Sequence, residues 1–173
     1  MKKILIFVSF ITLLLQSSVS FAEAKYTFYH ILWSMTDVNV QFHIKGGEAY
    51  MKSHPDVEIK YVGPESYDPA EHAKLLDTVI EANPDGIAMH ISSPEALLPG
   101  LKKAKEKGIP FVSTTGHPST AEAEALIEGL YLTWVGADET LSGGLMGRFV
   151  QKHIEPVHVV YTLGHLGHAG LEM

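Results

Sequence analysis

Between Tyr26 and Thr162, apolar runs of strand length alternate with segments of helical period, and few folds accept such an alternation. Tyr26 to Leu32, rich in aromatic and β-branched residues, reads as a first strand. Val40, Ile44, Gly47 and Met51 then recur at helical spacing through Asn39 to Ser53. Val57 to Val62 is a second strand, closed by Gly63-Pro64. Asp68-Pro69-Ala70-Glu71 opens the next helix: Asp caps free N–H groups, Pro is tolerated at the first helical position, and Glu at the third reaches back. Leu75, Leu76, Val79 and Ile80 give that helix one apolar face, and Asn83-Pro84-Asp85-Gly86 ends it before a third strand, Ile87 to Ile91.

The unit repeats. Ser93-Pro94-Glu95 caps a helix carrying Leu97, Leu98, Leu101 and Ala104, and Lys105-Glu106-Lys107-Gly108 closes it with cations at the negative end of the helix dipole. Ile109 to Ser113 is a fourth strand. Ser119 to Gly129 carries weaker order signals, and Tyr131 to Val135 is a fifth strand. Asp138 caps a helix through His153 that uses Leu141, Leu145 and Phe149, and Val157 to Thr162 is a sixth strand. Strand runs this uniformly apolar predict an α/β fold, a parallel sheet covered on both sides by helices. In such open sheets ligands bind beyond the carboxyl ends of the strands. That rule selects Ser34 to Asn39, Gly63 to Tyr67, His90 to Ser93, Thr114 to His117 and Gly136 to Asp138.

The opening of the chain reads as an address. Met1-Lys2-Lys3 precedes an apolar run from Ile4 to Leu15, and Ser20-Phe21-Ala22 places small residues where a signal peptidase reads. A membrane-spanning helix needs about 20 apolar residues, and this run gives way to Gln16-Ser17-Ser18. Residues 1–22 are therefore expected to be a cleaved signal peptide, with Ala24 as the second cleavage choice and the periplasm as destination. The chain has no cysteine, which excludes a disulfide scaffold, a cysteine-ligated zinc site and a lipid anchor at the cleavage point, and fits an oxidising compartment. Without Lys2 and Lys3 the chain keeps 11 basic residues against 20 acidic, a balance that excludes an electrostatic grip on nucleic acid.

Catalytic and metal signatures are sparse. Gly-x-Ser-x-Gly, a phosphate loop of the Gly-x-x-x-x-Gly-Lys form and a Gly-x-Gly-x-x-Gly after the first strand are all missing. Ten histidines include His165 and His168, three apart, and His153 and His158, but neither pair sits in a His-Glu-x-x-His motif. No metal, no cofactor and no enzymatic activity are expected; an exported α/β hydrolase acting on sugars or nucleosides is the minority reading.

Asn83-Pro84-Asp85-Gly86-Ile87-Ala88-Met89, Lys107-Gly108-Ile109-Pro110-Phe111-Val112 and Val135-Gly136-Ala137-Asp138-Glu139-Thr140 occur in this order and spacing. Together they resemble the ribose/galactose-type (type I) periplasmic substrate-binding proteins of sugar ABC transporters. Gly164-His165-Leu166-Gly167-His168-Ala169-Gly170-Leu171-Glu172 is similar to the first loop and helix of that family's second lobe. The resemblance covers Lys25 to Met173. It implies a clamp of two Rossmann-like lobes joined by a hinge, with a sugar in the cleft between them. By analogy, residues 23–137 form the amino-terminal ligand-binding lobe and residues 138–173 the incomplete start of the second, as in an amino-terminal fragment with its second lobe truncated.

The same resemblance assigns site residues. The loop after strand one, Trp33 to Val40, supplies polar groups and rings to the sugar in the family pattern. Asp37 falls where a hydrogen-bonding Asn or Asp is expected; a carboxylate accepting from two hydroxyls suits a polyol. The stacking positions read Asn39 and Val40, so Trp33 is the available ring, and Ser34 adds a hydroxyl. The alternative for Asp37 and Asn39 is a cap on the following helix. After strand four the ribose pattern has an Asp-Arg pair where this chain has Thr115-Gly116, a departure that points away from ribose itself. Thr114 and Thr115 can still bind hydroxyls, with Gly116 letting the backbone approach. His90 and Ser92 leave strand three at cleft level, His90 with burial in the core as its competing role, and His165 lies in the inter-lobe loop. The expected function is capture of a sugar or sugar-like polyol and delivery to an ABC transporter permease. A membrane sensor or chemoreceptor is the alternative partner.

Overall fold

The computed structural model describes residues 24–154, apart from His117 and Ser119. Among the described residues five strands and five helices follow in strict alternation: β1 Tyr26–Ile31, α1 Val40–Ser53, β2 Val57–Val62, α2 Pro69–Glu81, β3 Gly86–Met89, α3 Pro94–Glu106, β4 Phe111–Thr114, α4 Ala121–Ile127, β5 Thr133–Val135 and α5 Glu139–His153. All strand pairs are parallel, in the order β2-β1-β3-β4-β5. The α/β parallel-sheet expectation holds. The sixth strand expected over Val157 to Thr162, and the leader, lie outside the described residues.

The helix starts follow the chemistry of their caps. Asp68 accepts from the backbone N–H of Ala70 (2.8 Å) and Glu71 (3.2 Å), with Pro69 in the first turn. Ser93 caps α3 through Ala96 N–H at 3.3 Å, again with proline next. Asp138 caps α5 through Leu141 N–H at 2.7 Å. The stretch from Ser119 to Gly129, weak in sequence signals, contains α4: Thr120 accepts from Ala123 N–H at 3.1 Å, and Ile127 is fully buried. The helix has one fully buried apolar anchor, and Glu124 in its first turn accepts from the Tyr131 hydroxyl.

The step from β1 to β2 moves one way across the sheet, and the steps to β3, β4 and β5 move the other. Right-handed crossovers then put α1 on one face and α2, α3 and α4 on the opposite one. Side-chain alternation agrees. Ile31, Ile87, Met89 and Phe111 point into a core shared with Leu76, Ile80, Leu97, Leu101 and Ile127. Phe28, His30, Ala88, Val112 and Thr114 have the opposite parity and are only partly buried. The expectation of helices on both faces is thus met unequally. On α5, Leu141, Leu145 and Phe149 are all exposed. Among the described residues no helix is long and apolar enough to cross a membrane.

Helices α2 and α3 approach closely at Gly100, where a Cβ would stand 2.7 Å from Leu76 Cδ2 and 3.0 Å from its Cγ. Leu76 is fully buried and cannot swing outward. Gly100→Val is therefore expected to lower stability by about 1–3 kcal/mol, the usual cost of overpacking a core. Urea unfolding checks it, and an unchanged midpoint would mean the two helices pack more loosely than described.

Candidate functional site

Strand order reverses between β1 and β3, so the loops leaving those strands diverge and open a crevice at their carboxyl ends. Most of the residues selected from the sequence gather there. The loop after β1 is tied down on both sides. Trp33 donates its indole N–H to Asp37 Oδ2 at 2.8 Å, and Asp37 Oδ1 accepts from Asn39 N–H at 2.8 Å. The Trp33 hydrogen bond, followed by that of the Asn39 backbone, holds the Asp37 carboxyl below its usual range. The carboxylate is charged, partly exposed and aimed by the ring it holds. Asn39 occupies the N-cap position of α1 with no side-chain capping bond.

Ser34 turns inward. Its hydroxyl donates to the Glu65 carbonyl at 2.8 Å, Thr36 donates to the same oxygen at 2.7 Å, and Met35 N–H donates to the Pro64 carbonyl at 2.8 Å. These bonds lash the β1 loop to the β2 loop. Ser92, beyond β3, is 4% exposed; its side-chain oxygen has no hydrogen-bond partner, and its carbonyl accepts from Tyr67 hydroxyl at 3.1 Å. An unpaired buried hydroxyl is costly unless a ligand or water completes it.

After β4, Thr114 Oγ1 lies 3.3 Å from His30 Nε2. Thr115 stands in the left-handed region, with φ +61°, and its hydroxyl donates to the Thr114 carbonyl at 2.6 Å. Gly116 is buried against His90, where a Cβ would sit 2.3 Å from the ring carbon Cε1, so only glycine fits. His90 itself is 3% exposed. His165 lies outside the described residues.

Sequence reasoning missed the extent of the imidazole cluster. His30 and His43 meet edge to face, with ring centroids 5.4 Å apart, and His43 meets Trp33 at 5.2 Å. Trp33 is 5.8 Å from His90, which also neighbours Tyr67 at 6.2 Å and His72 at 6.5 Å. His72 is fully buried, and its Nε2 hydrogen-bonds the Leu32 carbonyl at 3.0 Å. Its signal was available: His72 precedes Leu75, Leu76 and Val79 by three, four and seven positions, the spacing of the buried stripe. Among the described residues, no three His, Asp or Glu side chains are arranged to hold a metal ion.

Burial, and secondly the proximity of His43, lowers the His30 pKa from 6.5 to about 4. Burial also lowers His43 and His72, although Leu32, Asp68 and Glu71 oppose the shift at His72. The unfolded chain therefore takes up protons at these sites before the folded one does. Their contribution to stability is complete above about pH 6.5 and is lost as pH falls towards 4. For His30 it amounts to roughly 3 kcal/mol at most. His30→Gln, which removes the titration and keeps a hydrogen-bonding side chain long enough to reach Thr114, is expected to flatten the fall in melting temperature between pH 7 and pH 4.5. An acid slope identical to that of the parent chain would exclude His30 as its source.

A parallel sheet with its crevice at this switch point has close structural counterparts. A carbohydrate transporter protein from Acidothermus cellulolyticus, solved in complex with myo-inositol, is 27% identical, with TM-score 0.67; the match covers 85% of this chain and 49% of that one. GanP, a glucose-galactose binding protein from Geobacillus stearothermophilus, is 25% identical with TM-score 0.62, covering 75% and 43%. A solute-binding protein from Agrobacterium vitis shares the fold at 22% identity and TM-score 0.68, covering 84% and 49%. The chain thus spans under half the length of these proteins. No curated protein matches it. The family model described as a periplasmic binding protein domain matches residues 31–172, and the fold, the strand order and this match together place the chain in the periplasmic binding protein family.

Proposed function

We propose that the chain provides the amino-terminal lobe of an exported solute-binding protein that captures a sugar or sugar-like polyol and delivers it to an ABC permease. The observation that carries the reading is the composition of the switch-point crevice. A partly exposed indole and a charged carboxylate are locked together at Trp33 and Asp37, across from the threonine hydroxyls of the β4 loop. Polyols offer hydroxyls that donate to a carboxylate and C–H faces that stack on an indole, so both halves of the pair have a use. The myo-inositol complex of the Acidothermus protein and the glucose-galactose designation of GanP support the same ligand class.

Within this reading, residues 1–22 are a signal peptide, residues 23–137 the lobe, and residues 138–173 the opening of a second lobe. Trp33, Asp37, Asn39, Thr114 and Thr115 face the ligand, Ser92 offers it an unpaired hydroxyl, and Ser34, His90 and Gly116 support the loops from beneath. His165 would contribute from the second lobe. Binding would occur by hinge closure without turnover. A sensor in place of the permease is the second reading, and a structural neighbour solved as the XylFII–LytSN complex favours keeping it.

The test uses the mature protein purified as its source cell exports it, scanned for thermal stabilisation by monosaccharides and myo-inositol. A true ligand at 100 times its Kd should stabilise the fold by about 2.7 kcal/mol. Trp33→Ala and Asp37→Ala are each expected to weaken that ligand tenfold or more, or about 1.4 kcal/mol. No stabilisation by any polyol, or conversion of the sugar to a product, would defeat the proposal.

A further inference from the structure

We infer that His90 is a positioning residue: from the floor of the crevice, its Nδ1 holds the β4 loop in a left-handed turn and thereby sets where Thr114 and Thr115 meet a ligand. The inference rests on the site reading proposed above and adds to it a part for a side chain that the loops bury.

The turn is unusual on its own terms. Gly116 N–H donates to the Thr114 carbonyl two residues back, at 2.8 Å, around a central Thr115 with φ +61°. A turn of this size and hand is rare and strained, and a β-branched residue at positive φ is an outlier. Such strain persists only where the surroundings over-determine it. Here they do. Thr115 N–H donates to the Val135 carbonyl at 2.9 Å, Trp134 Nε1 donates to the Thr115 carbonyl at 3.3 Å, and Ser113 hydroxyl donates to the Gly116 carbonyl at 3.0 Å. The fourth brace is His90: Gly116 N–H also donates to its Nδ1 at 3.0 Å, and Thr115 Oγ1, 2.9 Å from the same nitrogen, has its hydroxyl proton within reach of either Nδ1 or the Thr114 carbonyl. Paired with the Gly116 N–H, Nδ1 presents a lone pair and the ring proton is assigned to Nε2; a proton on Nδ1 would instead go to Thr115 Oγ1.

The ring has further neighbours. Its centroid is 5.8 Å from that of Trp33 in the β1 loop and 6.2 Å from that of Tyr67 in the β2 loop. One imidazole thus adjoins the loops leaving β1, β2 and β4 while itself leaving β3. A residue so placed keeps the ligand-facing loops at a common level, which is what a shared binding surface requires.

The experiment uses the exported protein labelled with ¹⁵N in its histidines and backbone. In the unsubstituted protein the ring is expected to carry its proton on Nε2, and the intraresidue amide-to-Hα NOE of Thr115 is expected to be strong, as the short distance at positive φ requires. His90→Asn, which keeps an acceptor near the Nδ1 position, should retain the turn. His90→Phe, which keeps a ring and loses the acceptor, should lose the turn and weaken myo-inositol or D-galactose, whichever binds, at least tenfold. Should His90→Phe fail to fold, the H90F/T115G double variant is expected to fold, because glycine takes positive φ without strain. A proton on Nδ1, a turn unchanged in His90→Phe, equal loss in the Phe and Asn variants, or an unfolded double variant would each overturn the inference. If no sugar binds the unsubstituted protein, the ligand proposal fails by itself, and the tautomer and the Thr115 amide-to-Hα NOE still decide the role of His90.

Discussion

Everything at the carboxyl edge of this sheet depends on the parallel pairing of β1 with both β2 and β3. Because β1 lies between them, the chain must leave it in one direction and come back past it in the other. That reversal separates the β1 and β3 loops and prevents either from closing over the other. The crevice is therefore a consequence of connectivity, and the side chains around it determine only what it holds. It also explains why chemically different residues meet there: each strand contributes its first residues after pairing stops, and parallel strands stop at a common edge.

The groups that meet there are mostly neutral. Imidazoles, an indole and phenols pack into and around the crevice, and burial lowers the pKa of His30, His43 and His72 and so favours their neutral forms. Asp37 is the charged member, and its charge is stabilised by the Trp33 and Asn39 N–H groups beside it. Within the proposed function, an aimed carboxylate among mostly neutral groups, as the described residues have it, is the set that an uncharged, hydroxyl-rich molecule would use, since burying an ion needs compensating charge.

Much of the fold was legible in the sequence because its rules are local. Asp68 and Ser93 precede their helices by one residue, proline follows each cap, and the capping bonds they form span two or three residues. The apolar stripe of α2 recurs at helical spacing whatever it packs against. Strand limits were less sharp: the third strand was expected at Ile87 to Ile91 and the fourth at Ile109 to Ser113, whereas pairing runs over Gly86–Met89 and Phe111–Thr114. Where a strand ends depends on how far its neighbours extend, which no local pattern records. For the same reason Ile91 is fully buried and yet lies outside the ladder.

The sequence by itself determined the alternation of elements, the parallel sheet, the caps and the loops from which a site would be drawn. Those follow from hydrogen bonds and apolar periodicities between residues close along the chain. Only the tertiary structure decided what each loop residue does. Ser34 braces a neighbouring loop 31 positions away, and Trp33 and Asp37 are locked together. His90 Nδ1 comes within hydrogen-bond distance of Thr115 and Gly116, 25 and 26 positions further along the chain. Such contacts join residues distant in sequence, and they arise because parallel strands bring the ends of separate crossovers to one edge.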